Sequence, residues 1–423
     1  MKFANKILLA VFGVFAMVSQ ANTMMHGFTV TEIGEHRYDA ILNSLEKTEA
    51  QLIVDHLAEI GVNHIILSPR ATMSDPRDSF VTPLTPASER ADERERYIRF
   101  ITYIHSKGMT VGIRPIFFVV DENGNMPFVE VLPDGTDKVW WHGNVLPRDP
   151  QAWFASFREY FTPYLEIAKE MNIKEFTIGA ELQSLTVGTP GRNMGYPEEF
   201  LNLLAFMRTQ LNPDTRIEYD INYTDERITN GKSSEIGGEL AVWRQRIADT
   251  RSFNSMADYE NWKNLLEFYR QLDGIGVDVY RSLADADDII PEDYDALVLK
   301  LRRTTDSFVE YFDYALSSMW SYTSKRQTLT IKEIGFRSVT NGFVDPYTYA
   351  GPGELNIEHQ AAAYEAIFQS FFLAPRAWLG GIGFWDASVD LERHGPFTTS
   401  FSPLGKELTE SIILNYFTTA VTN

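Results

Sequence analysis

Phe176-Thr177-Ile178-Gly179-Ala180-Glu181 is a short apolar run that ends on a glutamate, and Leu329-Thr330-Ile331-Lys332-Glu333-Ile334-Gly335 repeats the arrangement. Runs this short, apolar and rich in β-branched residues, read as buried strands. Working outward, six more segments obey the same rule: Gly27 to Val30, Val62 to Leu67, Thr110 to Phe117, Arg216 to Asn222, Gly274 to Val279 and Gly381 to Trp385. Longer stretches of helical period separate them, near 46–60, 89–107, 151–171, 197–211, 258–271, 292–321 and 358–373, with a last one from Pro403 onward. Strand and helix alternating in this way predict an α/β fold, a parallel sheet closed into a (β/α)8 TIM barrel.

The connections sharpen that expectation. Links from helix to strand are tight, as in Ile60-Gly61-Val62, Lys107-Gly108-Met109, Met171-Asn172-Ile173 and Leu272-Asp273-Gly274, and glycine or asparagine there supplies a helix stop. Links from strand to helix are long: Pro69 to Ser88, Asp121 to Pro150, Thr224 to Ala257, and Arg337 to Ile357. One end of the barrel is therefore decorated, and it is the end where strands finish and chemistry is carried in this fold. Glu181 and Glu333 both stand there.

Lys2 and Lys6, the apolar stretch Ile7 to Val18, and Ser19-Gln20-Ala21 have the pattern of an export signal over residues 1–21. The expected mature chain, 22–423, is a single barrel domain that is secreted or periplasmic. No cysteine is present, so there is no disulfide framework, thiolate metal site or cysteine nucleophile. The formal charge of −20 disfavours nucleic acid and anionic membranes as partners. A monomer is expected.

Glycoside hydrolysis needs two carboxyl groups about one bond, one to protonate the leaving oxygen and one to attack the sugar or activate water. Glu181 and Glu333 are the candidates, although a strand-end glutamate taken singly is usually just solvated. A retaining site requires them about 5 to 5.5 Å apart. Glu333 must be ionised, with Tyr280 and Arg114 as suppliers of hydrogen bonds and positive charge; Glu181 must hold its proton, with burial or the charge of Glu333 raising its pKa. Lys332 alternates away from Glu333 along the strand and is expected to face the helices. Trp385, with Trp140, Trp141, Tyr347 and Tyr349 in the long loops, offers flat rings suited to sugar faces.

Other chemistries find no footing. The eight histidines form no His-Glu-x-x-His helix motif, and Asp285-Ala286-Asp287-Asp288 lacks the glycine and terminal glutamate of a calcium loop. Gly380-Gly381-Ile382-Gly383 precedes a strand end rather than opening a helix, and no Gly-x-Ser-x-Gly elbow occurs. Neither metal nor cofactor is called for.

The ordered segments resemble glycoside hydrolase family 113, barrels of the large clan of retaining β-glycosidases. The likeness rests on Gly61-Val62-Asn63, Gly108-Met109-Thr110-Val111-Gly112-Ile113-Arg114-Pro115, Trp153-Phe154, Ile178-Gly179-Ala180-Glu181-Leu182, Ile275-Gly276-Val277-Asp278-Val279-Tyr280, Lys332-Glu333-Ile334-Gly335-Phe336 and Gly383-Phe384-Trp385. It implies a double displacement with Glu181 as acid/base and Glu333 as nucleophile, action on an oligo- or polysaccharide of the β-1,4-mannan type, and Trp385 as the floor of the cleaved sugar's subsite. Much of the clan has Asn before the acid/base, to bind the sugar 2-hydroxyl, whereas this chain has Ala180; Asn222 is the candidate replacement. A non-catalytic carbohydrate-binding barrel, a transglycosylase and a hydrolase of another β-glycan stay open as alternatives.

Overall fold

The structure, a computed structural model, describes residues 24–40, 46–189, 193–229, 233–249 and 253–419. The expected export segment, 1–21, lies outside the described residues. Eight parallel strands close a barrel in chain order: Met25–Thr31, His64–Leu67, Thr110–Ile113, Glu175–Ala180, Arg216–Tyr223, Gly274–Val279, Leu329–Glu333 and Leu379–Ser388. Closure is made by the first strand, which pairs Gly27 with Gly383 of the eighth and with His64 of the second. The predicted strands and the order of the helices agree with this architecture.

Helix starts follow local chemistry. Thr48 and Gln51 form a capping box at Glu49–Glu59, Asp149 accepts from the amide of Ala152 with Pro150 in the first turn, and Ser255, Asp293 and Asn356 cap three later helices. Each helix turns its apolar stripe to the sheet. In Pro150–Glu170 the stripe comprises Trp153, Phe154, Phe157, Tyr160, Phe161, Tyr164, Leu165 and Ala168, and Phe161 meets Phe176 of the fourth strand at 5.6 Å between ring centroids. Among the described residues no helix is long and apolar enough to cross a membrane.

The third strand is shorter than expected. It stops at Ile113, because Arg114 turns inward and Pro115 has no N–H for the ladder. The chain resumes as Ile116–Val119, which joins Arg70–Met73 and Thr82–Pro83 in a separate three-stranded sheet. The loop beyond it carries a hairpin, Phe128–Val131 paired with Asp137–Trp140.

Lys332 is also placed otherwise than expected. It is wholly buried and contacts Glu175 of the fourth strand and, at 3.1 Å, Glu218 of the fifth, so it points into the barrel and not at the helices. The cause is a register shift: Val277 pairs with Ile331 but Asp278 pairs with Glu333, and this irregularity breaks the two-residue alternation. Space for the lysine stem comes from Gly276, where a Cβ would collide with Asp220 and Lys332. The barrel interior is thus a layer of paired charges beneath the mouth, held by mutual neutralisation rather than by aliphatic packing.

Candidate active site

Glu333 ends the seventh strand with both carboxylate oxygens occupied. The Arg114 guanidinium donates to Oε1 and the Tyr280 hydroxyl donates to Oε2 at 2.7 Å. Arg114 is itself buried and bridges two further carboxylates, donating to Asp220 at 2.7 Å and Asp278 at 2.6 Å. Four strands thereby fix one guanidinium under the mouth. Tyr280 directly follows the sixth strand, and its backbone N–H is tied to the Tyr223 carbonyl at 3.0 Å.

Glu181 follows the fourth strand with φ 55°, a left-handed conformation that a non-glycine residue adopts only when its surroundings compel it. Three contacts compel it here. Its N–H donates to the Asp220 carbonyl at 2.8 Å, the next amide, Leu182, donates to the Tyr219 hydroxyl at 2.8 Å, and Asn222 Nδ2 donates to Glu181 Oε1 at 2.6 Å. The second oxygen, Oε2, lies 2.8 Å from Nε2 of His142. Behind Asn222, Glu239 accepts from the Asn222 N–H, the Tyr219 hydroxyl and the Trp243 indole.

Half-buried Trp385 ends the mouth-facing part of the eighth strand, its N–H bonded to the Ile334 carbonyl beside Glu333. Trp141 packs edge-on to His142 with centroids 4.9 Å apart, and its ring covers the backbone of Gly143, where a side chain would strike it. Trp140 departs from expectation. It is buried, its indole donates to Glu130 at 2.8 Å, and Lys138 and Arg77 lie over its ring at 3.1 and 4.8 Å, so it anchors the hairpin and offers no face to a sugar. Tyr347 is exposed; Tyr349 is exposed too, stacked on Phe401 and bonded by Arg393.

The site thus joins two carboxyl groups, each held by two donors, at the C-terminal mouth of a (β/α)8 barrel. A family model described as Glycoside Hydrolase Family 113 matches residues 36–188, a span that takes in Arg114, His142 and Glu181. Over that part of its length the chain is similar to glycoside hydrolase family 113, and this supports its reading as a glycoside hydrolase. Solved structures with the same fold include a GH113 β-1,4-mannanase in complex form, 18% identical over 94% of this chain and 99% of that one, with a TM-score of 0.55. The GH113 β-mannanase of Alicyclobacillus acidocaldarius in complex with ManMIm is 18% identical over 94% and 98%, with a TM-score of 0.59. A GH5_18 enzyme variant from Streptomyces cattleya, in complex with Manβ1-4GlcNAc, is 12% identical over 94% and 81%, with a TM-score of 0.51. At such identities the likeness is one of fold, and a barrel alone does not specify a reaction. No curated protein matches the chain.

At this site the division of charge differs from expectation. Burial pushes Glu181 up, but the His142 and Asn222 contacts and the charge of Arg114 outweigh it and hold the carboxyl below its ordinary value. Burial also pushes Glu333 up; Arg114 and Tyr280 oppose this, yet the charges of Glu181 and Asp220 leave it above its ordinary value. The physical reason is that Arg114 is shared among Glu333, Asp220 and Asp278, so no one carboxylate receives its full charge.

His142 is the functional candidate that sequence reasoning missed. Its only sequence signal is its place in Trp141-His142-Gly143, in the long loop after the third strand. The other candidates named from the sequence lie against the carboxyl pair, Arg114 and Tyr280 on Glu333 and Asn222 on Glu181.

Proposed function

We propose that the enzyme cleaves a β-1,4-mannan type polysaccharide within the chain by double displacement, Glu333 attacking the anomeric carbon and Glu181 serving as acid and then base. The observation that supports this most is the asymmetric grip on the two carboxyl groups. Glu333 is fixed by a cation and a phenol, the surroundings of a nucleophile, whereas Glu181 is held by an amide and an imidazole, neutral or proton-carrying donors suited to a group that must gain and lose a proton.

A chemical sequence follows from these contacts. A sugar hydroxyl that draws Asn222 Nδ2 to itself removes one of the bonds holding Glu181 down, so Glu181 binds a proton better once substrate is seated. Its proton then passes to the glycosidic oxygen as the C1–O bond breaks and Glu333 bonds to C1. Water, deprotonated by Glu181, releases the sugar with retained configuration. Trp385 and Trp141 line the groove. The solved family 113 and family 5 structures named above carry mannose-containing ligands or mannanase names, which favours mannan over other β-glycans.

Reducing-sugar release from mannans, β-glucans and xylans, followed by proton NMR of the first-formed anomer, tests the reading. Mannan should be cleaved to the β-anomer, and Glu333→Gln should bind oligosaccharide with turnover lost. Activity retained in that variant, or an α-anomer first, removes the proposal. Action as a monomer outside the cytoplasm, after removal of residues 1–21, belongs to the same proposal; cell fractionation and N-terminal sequencing of the mature chain check it.

A further inference from the structure

We propose that His142 is a positioning residue for the acid/base, aiming Glu181 through Oε2 and passing it the proton that goes to the leaving group. This rests on the double-displacement reading and adds to it a residue from a loop outside the barrel strands. The geometry is specific. His142 Nε2 lies 2.8 Å from Glu181 Oε2 while Asn222 holds Oε1, so imidazole and amide between them set the orientation of the carboxyl. Trp141 lies edge-on to the imidazole at 4.9 Å and Phe117 at 6.0 Å, fixing the plane of the ring. The Arg114 guanidinium, whose charge also bears on Glu181, is committed to Asp220, Asp278 and Glu333. Imidazole is thus the side chain in contact with Glu181 whose chemistry allows a proton to be handed over.

The step balances without any added reagent. When substrate draws Asn222 away, the Nε2–H bond of the imidazolium breaks and an Oε2–H bond forms, leaving neutral imidazole. Glu181 then gives that proton to the departing oxygen. In the second half-reaction Glu181 takes a proton from water and can return it to Nε2.

A purely structural role for His142 would lower activity on all substrates alike. A proton-passing role lowers it where the leaving group needs a proton. For His142→Gln, kcat/KM on mannotetraose should fall about 10²-fold, against less than about tenfold on a 2,4-dinitrophenyl β-mannobioside, whose leaving group departs as an anion. His142→Ala should show the same split, and added imidazole should restore mannotetraose cleavage. Equal losses on both substrates, or no recovery with imidazole in a folded variant, overturn the proposal.

Failure of the underlying reading is recognised separately. Glu181→Ala given azide and the aryl mannobioside should form the β-mannobiosyl azide, and absence of that product condemns Glu181 as acid/base rather than His142 as its partner. Independently of any glycan, the ¹⁵N resonance of His142 Nε2 in the free enzyme should shift on Glu181→Gln. An unchanged resonance refutes the contact.

Discussion

Tyr280 shows how one hydroxyl governs the nucleophile. Its bond to Glu333 Oε2 lowers the carboxyl's pKa against the upward push of burial. Tyr280→Phe removes a hydrogen bond to a charged group, worth about 1.5–3 kcal/mol, so kcat/KM should drop roughly 10- to 150-fold. The sign of the pH effect follows: without the phenol the Glu333 pKa rises, a higher pH is needed to ionise it, and the acidic limb of the kcat/KM profile moves up. A limb that stays put would show that the phenol does not touch the nucleophile in solution. Glu239 is a second informative residue, since burial pushes it up to about 8 despite donors from Tyr219, Trp243 and Asn222. The folded enzyme keeps this carboxyl protonated where the unfolded chain would ionise it. Its contribution to stability is complete below about pH 4.5 and is lost as pH rises to about 8. Glu239→Gln has no such proton to lose. The stability of that variant relative to wild type should therefore grow between pH 5 and 8, by roughly 4 kcal/mol over the window, as read by urea unfolding at each pH.

At the scale of elements, the hairpin Phe128–Val131 with Asp137–Trp140 carries the site's loop residues. Its inner face is Trp140, Glu130 and Lys138, with Arg77 reaching over from the preceding loop to bond Glu130 at 2.9 Å. The chain then passes directly to Trp141 and His142. Trp140→Ala should loosen the hairpin locally, by about 3 kcal/mol of protection against hydrogen exchange across 137–144, with little change in the barrel's own unfolding. Activity should fall with it, through His142, although Trp140 itself meets no sugar. Unaltered exchange in this segment would mean that another contact anchors the loop. The seventh strand makes a related point, since one register irregularity turns both Lys332 and Glu333 to the barrel axis and sets a structural charge directly below a chemical one.

For the whole molecule, the barrel axis carries a stack of ion pairs within a large apolar core. Arg114 serves Asp220, Asp278 and Glu333, and Lys332 below serves Glu175 and Glu218. Carboxylates outnumber cations in this stack, so burial and mutual repulsion push Asp220 and Asp278 above their ordinary values. Removing one partner leaves buried charge uncompensated. Lys332→Met should accordingly cost about 3–5 kcal/mol in denaturant unfolding at neutral pH. A variant as stable as wild type would mean that the lysine charge is not what holds these buried carboxylates.

Strand positions were legible in the chain because a buried parallel strand needs an apolar, β-branched run, and a run that ends on a polar residue must deliver it to the barrel mouth. Glu181 and Glu333 were candidates on that ground, whereas Asn222 and Trp385 were named through the family resemblance. The side on which Lys332 lies was not legible, because alternation along a strand assumes a regular ladder, and the irregularity arises only when the sixth and seventh strands are laid together. His142 was hidden for a similar reason: a loop residue 39 positions before Glu181 has no register, and what brings it there is the anchoring of Trp140 against groups distant in the chain. Sequence alone determined which residues end the barrel strands, since periodicity is local. Only the tertiary structure decided which of them touch and who holds the proton, since contact and burial depend on the closed barrel.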